Sequence, residues 1–228
     1  MPDTRRTYGE GCIAAHALDL IGDRWALLIV RELMLGPKRF GAIRARVPGI
    51  ATNMLTRRLA DLESAGILRR ADLPPPASVQ VYELTAQGLA LGPVLRALCH
   101  WGAGIPGHDP TLPISPTALM LSMQAMLVDP PSTPLQAGFA MDDEGFAVTL
   151  TDAGMQVRRA ARPAGDLLFS GPPNAMAAAV YGPRKLAEVT GAGLVTLRGD
   201  PARGQDFVDR FRLARADAAP RPAAVAAG

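Results

Sequence analysis

Cysteine is scarce in this sequence, which has only Cys12 and Cys99. The two lie far apart in a chain with no other sign of export, so we do not expect a disulfide framework. Long apolar runs are also absent, and no segment reaches the roughly 18 residues of a membrane-spanning helix. The polar start, residues 1–11, does not resemble a signal peptide. These absences favour a cytoplasmic protein that does not interact with a membrane.

Catalytic and metal-binding motifs are missing as well. The three histidines, His16, His100 and His108, are accompanied by no GxSxG nucleophile motif, and no glycine-rich phosphate loop occurs. The paired CxxC and HxxxH spacings of metal sites are absent too. We therefore expect a protein that is not an enzyme, with no catalytic residue, no metal and no cofactor.

The charge that is present is unevenly distributed. The chain has 228 residues, of which 48% are hydrophobic and 20% are charged, so it is expected to fold, and its length suits two domains. Residues 37–70 carry eight basic side chains and two acidic ones. Such an excess is typical of a surface that binds a polyphosphate, although a solvated basic helix would look the same.

Apolar periodicity predicts a series of short helices in the first hundred residues. The predicted helices cover residues 13–21, 24–35, 39–47 and 52–65, with Asp23 and Thr52 as N-caps of the second and fourth. Strands at 67–70 and 79–84 follow, separated by the three prolines of residues 74–76, and Thr85 is predicted to cap a closing helix. This order is that of a winged helix-turn-helix.

The helix predicted at 52–65 has two different faces. Its buried stripe is expected to consist of Leu55, Leu59 and Leu62. The opposite side and its flanks carry the polar and basic residues Asn53, Thr56, Arg57 and Arg58. These side chains are chemically suited to contacts with base edges and phosphates.

Several separated motifs together resemble the HxlR family of bacterial transcription regulators. In order, they are CIAAHALDLIGDRW at 12–25, GPKRF at 36–40, NMLTRRL at 53–59, AGILRR at 65–70 and YELTAQG at 82–88. The resemblance covers about residues 10–102. It implies a regulator that binds a double-stranded DNA operator with the helix at 52–65 in the major groove. The operator sequence, the regulated genes and the sign of regulation stay open.

The resemblance assigns DNA contacts to particular residues. The expected DNA-binding residues are Lys38, Arg39, Thr52, Asn53, Thr56, Arg57 and Arg58. Asn53 suits adenine and Arg57 suits guanine or a phosphate, whereas Lys38, Arg39 and Arg58 are expected to hold phosphates. Residues 73–78, at the tip of the wing, contain no basic residue, so a minor-groove contact there is not favoured.

Two further features concern assembly and regulation. The closing helix is too apolar for one buried stripe, which predicts a homodimer through this helix and the first one. Cys12 occupies the position where some members of the family keep a redox-sensing cysteine. A small packed side chain is the alternative interpretation of Cys12.

The second half is predicted to be a separate domain. We expect a winged helix-turn-helix at 1–105, a linker at 106–114, a second domain at 115–215 and a disordered tail at 216–228. The second domain begins with a methionine-rich helix, continues with an antiparallel meander and short helices, and resembles a sterol carrier protein-like domain. The fold class is therefore α+β.

That second resemblance implies an apolar tunnel between the sheet and its helices. The candidates for lining it are Met120, Met123, Met126, Phe139, Met141, Phe146, Phe169 and Met176. An apolar small-molecule effector would then regulate DNA binding. The alternatives are a lipid or small-molecule carrier, and a constitutive regulator whose second half only dimerises. The alternative for each of the eight residues is that it belongs only to a core.

Overall fold

Helices dominate the first half of the chain. The computed structural model describes residues 7–73 and 79–213. The elements of the first unit are α1 (Ile13–Ile21), α2 (Ala26–Leu33), α3 (Phe40–Arg46), α4 (Thr52–Ser64), β1 (Leu68–Asp72), β2 (Gln80–Leu84), α5 (Ala86–Leu89) and α6 (Gly92–Ala103). The two strands pair antiparallel, and their order after α3 and α4 confirms the winged helix-turn-helix arrangement.

Packing of α3 against α4 follows the predicted apolar pattern. Leu55, Leu59 and Leu62 are all buried in a core that also holds Ile43 of α3. The turn between the two helices contains Gly49 at φ +81°, a backbone conformation that favours glycine. Gly66, at φ +70°, ends α4 as predicted. The helix-turn-helix is therefore held by its own apolar core.

Two predicted N-caps are wrong. Helix α2 begins at Ala26, and the Asp23 side chain pairs with Arg58 and does not cap the helix. Thr52 is the first residue of α4 and Ala51 occupies its N-cap position. Thr85 does cap a helix, since its hydroxyl accepts a hydrogen bond from the Gly88 amide at 3.2 Å.

The closing helix is interrupted, whereas a continuous helix was predicted. It divides into α5 and α6, and Pro93 lies in the first turn of α6. Proline has no amide hydrogen and its ring clashes with the preceding turn, so a helix cannot continue through it from α5.

A five-stranded sheet with helices forms the second unit. Its elements are α7 (Pro116–Met126), β3 (Leu135–Met141), β4 (Glu144–Thr151), β5 (Gly154–Arg159), β6 (Leu167–Ser170), α8 (Pro173–Tyr181), α9 (Leu186–Gly191), β7 (Thr196–Arg198) and α10 (Pro201–Asp209). The strand order is β5-β4-β3-β6-β7. Nearly every residue of α7 is buried, as its apolar circumference predicts.

The sheet is not the simple meander that the sequence suggested. Strands β3, β4 and β5 form the meander, but β6 returns to the opposite edge and pairs in parallel with β3. The connection, residues 160–166, crosses the sheet where Gly138 and Gly145 lie. A Cβ atom on Gly138 would come within 2.9 Å of Pro163 Cβ. Glycine at these positions therefore allows the connection to lie against the strands.

Seven of the eight residues proposed to line a tunnel belong to the apolar core between this sheet and its helices, and Met126 is buried outside that cluster. Each of them is buried. The Phe139 and Phe169 rings stack with centroids 4.9 Å apart, and Phe207 packs against both. Aromatic rings therefore occupy the centre of this layer.

Some predictions fall on parts of the chain outside the described residues. The three prolines at 74–76 and the tail at 216–228 are among them. The predicted linker at 106–114 contains no helix or strand, but Asn174 of α8 donates a hydrogen bond to its Leu112 carbonyl at 2.7 Å. Within residues 7–73 and 79–213, no helix is long and apolar enough to cross a membrane.

Candidate nucleic-acid interface

Helix α4 presents a polar face to solvent. Asn53, Thr56 and Arg57 are exposed on the side opposite the buried leucines, and Thr52 is exposed at the start of the helix. The Thr56 hydroxyl donates to the Thr52 carbonyl at 3.0 Å, and the Asn53 side-chain oxygen accepts from the Met54 amide at 2.8 Å. The Asn53 side-chain NH2 group and the Arg57 guanidinium bind no carboxylate among the described residues.

Unpaired arginines accompany this face. Arg39, Arg44 and Arg57 are exposed and form no ion pair with any carboxylate that the structure describes. Arg39 stands at the N-cap position of α3, and Arg44 lies in its last turn. Arg44 belongs to the basic segment counted in the sequence but was not among the predicted site residues. Its place in that basic segment, five residues after Arg39, was the available signal.

Lys38 is not on this surface, so its predicted phosphate contact is wrong. Only 3% of the residue is exposed. Its amine donates to Glu32 at 2.9 Å, to Glu144 at 3.0 Å and to Thr117 at 3.1 Å. An ammonium has three hydrogens, and all three are used within the protein.

Arg58, which was predicted to hold a phosphate, is paired with two carboxylates. Its guanidinium pairs with Asp23, which precedes α2, and with Asp61 of α4 at 2.8 Å. The side chain is only 12% exposed. Arg58 therefore joins α4 to the segment before α2 and does not face outward beside Arg57.

The two arginines of the hairpin have carboxylate partners. Arg69 pairs with Glu83 across the two strands at 2.7 Å, and Arg70 pairs with Glu63 of α4 at 3.2 Å. Surface pairs of this kind are weak, so the side chains can exchange partners. The tip of the wing lies outside the described residues.

An apolar surface lies on the first and last helices of this unit. Ile13 of α1 is 87% exposed and Trp101 of α6 is 69% exposed. Leu18 of α1 and Leu98 of α6 are exposed as well. Large side chains in such numbers are typical of a surface that another subunit covers.

Comparison with known proteins identifies the first unit. The model of the HxlR-like helix-turn-helix family matches residues 20–108. An uncharacterized HTH-type transcriptional regulator, sll1512, from Synechocystis is 38% identical over 42% of this chain and 70% of its own. A second one, from Methanothermobacter thermautotrophicus, is 38% identical over 43% of this chain and 75% of its own. The chain belongs to the HxlR-like family. It is a DNA-binding transcriptional regulator.

Two further comparisons are with one regulator of Bacillus subtilis. The HTH-type transcriptional regulator YodB is 41% identical over 37% of this chain and 76% of its own. The solved structure of its reduced form is 37% identical, with 43% of this chain and all of that chain covered and a TM-score of 0.39.

Cys12 of this HxlR-like protein lies at the N-cap position of α1. Hydrogen bonds from the backbone amides of Ala15 and Ala14 lower the pKa of its thiol below the ordinary value. Cys99 of α6 differs, because burial raises the pKa of its thiol despite the nearby charge of Arg31. At a given pH the thiolate fraction is therefore raised at Cys12 and lowered at Cys99.

A cleft lies where the two units meet. It has a volume of about 210 Å³ and lies between α6, which contributes Leu95 and Cys99, and α7, which contributes Leu121 and Gln124. None of the eight side chains predicted to bind a ligand lines it. In the part of the chain that the structure describes, no cluster of three or more His, Cys, Asp or Glu residues could hold a metal.

Proposed function

We propose that this regulator reads an operator as a homodimer, with the exposed face of α4 in the major groove. The observation that carries the proposal is the juxtaposition of Asn53, Thr56 and Arg57 on that face without a carboxylate that neutralises Arg57. Asparagine and arginine can each form two hydrogen bonds with one base, adenine and guanine respectively. Thr52 and Thr56 supply shorter polar contacts at the same end of the helix.

Arg39 and Arg44 hold phosphates in this arrangement. Both flank or belong to α3, the helix that precedes the recognition helix. Phosphate contacts set the position of a protein on the duplex and carry no direct sequence information. Arg39 and Arg44 therefore contribute to the affinity for every duplex, and Arg57 contributes to the preference for one.

The dimer forms through α1 and α6. Their exposed apolar side chains would be covered by the same surface of a second copy, as in a two-fold symmetric interface. Two recognition helices would then face half-sites about one helical turn apart, or a multiple of that distance.

The second unit has a sterol carrier protein-like fold and is the candidate receiver of an apolar effector. Support comes from a five-stranded sheet with an apolar layer between it and its helices, and from the methionines of α7 in that layer. The stacked rings of Phe139 and Phe169 mean that a ligand must displace core side chains. A unit that only adds dimer contacts is the competing role, and native mass spectrometry of the purified protein distinguishes them by the presence or absence of a retained ligand.

The experiment that tests DNA reading starts with selection of duplexes from a random pool by the full chain. Binding of the selected duplex is then measured by fluorescence anisotropy over a range of salt concentrations. Arg57→Ala should weaken binding by roughly 1–3 kcal/mol and relax one base position. Arg39→Ala should weaken all duplexes alike and reduce the salt slope by about one.

Arg158→Ala is the matched control, since Arg158 is exposed on β5 of the other unit. It should leave the affinity for the selected duplex and the salt slope unchanged. Enrichment of no duplex, or unchanged binding by Arg57→Ala, would contradict the assigned face of α4.

Redox control through Cys12 is a second candidate function. The observation that favours it is the lowered pKa of an exposed thiol at the start of α1, a helix of the proposed dimer surface. Treatment with a mild oxidant should change operator affinity in the wild-type chain and not in Cys12→Ser. Equal responses of both chains would exclude this role.

A further inference from the structure

The turn between β3 and β4 carries three consecutive carboxylates. We call Asp142, Asp143 and Glu144 the acidic turn. Met141 pairs directly with Glu144, so only two residues connect the strands. Asp142 has φ +51°, the only positive value among described residues other than glycine. Aspartate tolerates this conformation better than most residues. Because the turn is tight, its carboxylates lie close together.

One end of α3 is held by the acidic turn. Arg46, the last residue of α3, pairs with Asp142 at 2.6 Å and also with Asp143, while its Nε lies 3.4 Å from Glu144. Partial burial lowers the pKa of Arg46, but the hydrogen bond with Asp142 and the three nearby carboxylates outweigh this effect and raise it. The guanidinium therefore stays charged and directed at the turn.

The other end of α3 is held by the same turn. Lys38 lies two residues before α3, and its backbone is bonded to Tyr82 of β2 by two hydrogen bonds of 3.0 and 2.9 Å. Its buried amine lies 3.0 Å from Glu144. A single turn of the second unit thus contacts residues at both ends of the first helix of the helix-turn-helix.

The contacts are part of a larger buried network. Glu144 also accepts a hydrogen bond from Arg159 at 2.6 Å, and Glu32 accepts one from Ser115 at 2.6 Å in addition to its bond with Lys38. Glu32 and Glu144 are both almost fully buried. Buried charges that lose a partner are strongly destabilised, so alternative positions of α3 are disfavoured.

The position of α3 determines the position of α4. Only residues 47–51 connect the two helices, and Val47 and Ile50 of this connection are buried in the same core as Leu55 of α4. Closely packed cores do not deform continuously. A displacement of α3 would therefore displace the recognition face.

We propose that the acidic turn is a positioning element for DNA recognition, which sets the orientation of the recognition helix without touching DNA. This inference rests on the proposed role of α4. The second unit then contributes to sequence discrimination even when it binds no effector. A signal that reaches the β3–β4 hairpin would be transmitted to both ends of α3.

The negative charge of the acidic turn would by itself affect DNA binding in the opposite direction to a positioning role. The acidic turn carries three negative charges, and Asp143 is largely exposed. Negative charge repels DNA at a distance, so its removal should strengthen binding to every duplex if no positioning occurs. If the turn positions α3, its removal should weaken binding to the selected duplex relative to a random one.

The test uses the full chain with the double substitution Asp142→Asn and Asp143→Asn. Both residues are exposed, so the fold is expected to persist, and thermal unfolding checks this. The ratio of affinities for the selected and a random duplex should fall by about 2- to 30-fold, the range typical of substitutions that act away from the ligand. Glu144→Gln should lower the same ratio and also lower the melting temperature, because Glu144 is buried.

Asp152→Asn is the matched control. Asp152 lies in the β4–β5 turn of the same sheet, is exposed and forms no ion pair that the described residues show. Its affinity ratio should stay within about 2-fold of wild type. An unchanged ratio for the double variant, or equally tighter binding of both duplexes, would overturn the positioning role. If the wild-type chain selects no duplex, the proposed function fails and not this inference alone.

Discussion

Lys38 and Glu144 are 106 positions apart in the chain, and their side chains form a buried ion pair of 3.0 Å between the two units. Lys38 also pairs with Glu32, so one amine neutralises a carboxylate from each unit. The DNA-binding unit and the sheet are thereby joined through charge as well as apolar contact.

Lys38→Met should strongly destabilise the protein. Both Glu32 and Glu144 would remain buried without the amine, and loss of one partner from a buried ion pair costs about 3–5 kcal/mol. Urea unfolding followed by circular dichroism measures the change. Arg39→Met, at the exposed neighbouring position, should change the free energy of unfolding by less than about 0.5 kcal/mol. Equal stability of the two variants would contradict the structural role of Lys38.

Gly138→Ala should destabilise the second unit. The added methyl group would lie 2.7 Å from Leu168 Cδ2 and 2.9 Å from Pro163 Cβ, so the crossing connection must move. We expect a loss of about 1–3 kcal/mol, as for other overpacked sites. Gly191→Ala adds the same methyl group to open space and should be neutral or slightly stabilising. Thermal unfolding of the two variants checks the crossing of residues 160–166.

Trp101→Glu should convert the proposed dimer into monomers. The indole is exposed on the proposed interface of α1 and α6, and a carboxylate buried there would have no partner. Sedimentation velocity at micromolar concentration measures the oligomeric state. Leu112→Glu, at another exposed apolar residue outside α1 and α6, should remain dimeric. A monomeric wild-type chain would refute the dimer itself.

Cys12 should react with iodoacetamide at lower pH than Cys99. Lowering a thiol pKa increases the thiolate fraction at a given pH, whereas raising it has the reverse effect. The Cys99→Ser variant retains only Cys12, so its alkylation rate should rise at a pH below the ordinary pKa of a thiol. The Cys12→Ser variant retains only Cys99, so its alkylation rate should rise at a pH above that pKa. Mass spectrometry of the two variants over a pH series gives both curves. Coincident curves would show that the start of α1 does not activate Cys12.

Local patterns predicted most helices. The bounds of α1 match the prediction, and Leu55, Leu59 and Leu62 are buried as the 3.6-residue period requires. Thr85 caps the helix that follows it as predicted, because the bonds of a helix cap connect residues two or three positions apart. Such features depend on neighbours in the chain.

Long-range pairing was the part that the pattern could not predict. The apolar residues of β6 are compatible with a fourth strand of the meander and equally with a strand that pairs in parallel with β3. Alternation of side chains along a strand does not indicate which strand lies beside it. The glycines at 138 and 145 leave room for the connection to cross the strands, which the observed order requires.

By itself the sequence determined the family, the helix-turn-helix and the exposed face of α4, since these depend on local periodicity and on motifs within about a hundred residues. Tertiary structure alone decided which basic residues are exposed and which are paired with carboxylates. A lysine beside Arg39 looks like any surface cation until Glu32 and Glu144 converge on it. The reason is physical: whether a charge faces water, DNA or a buried carboxylate depends on which distant groups folding brings within a few ångströms.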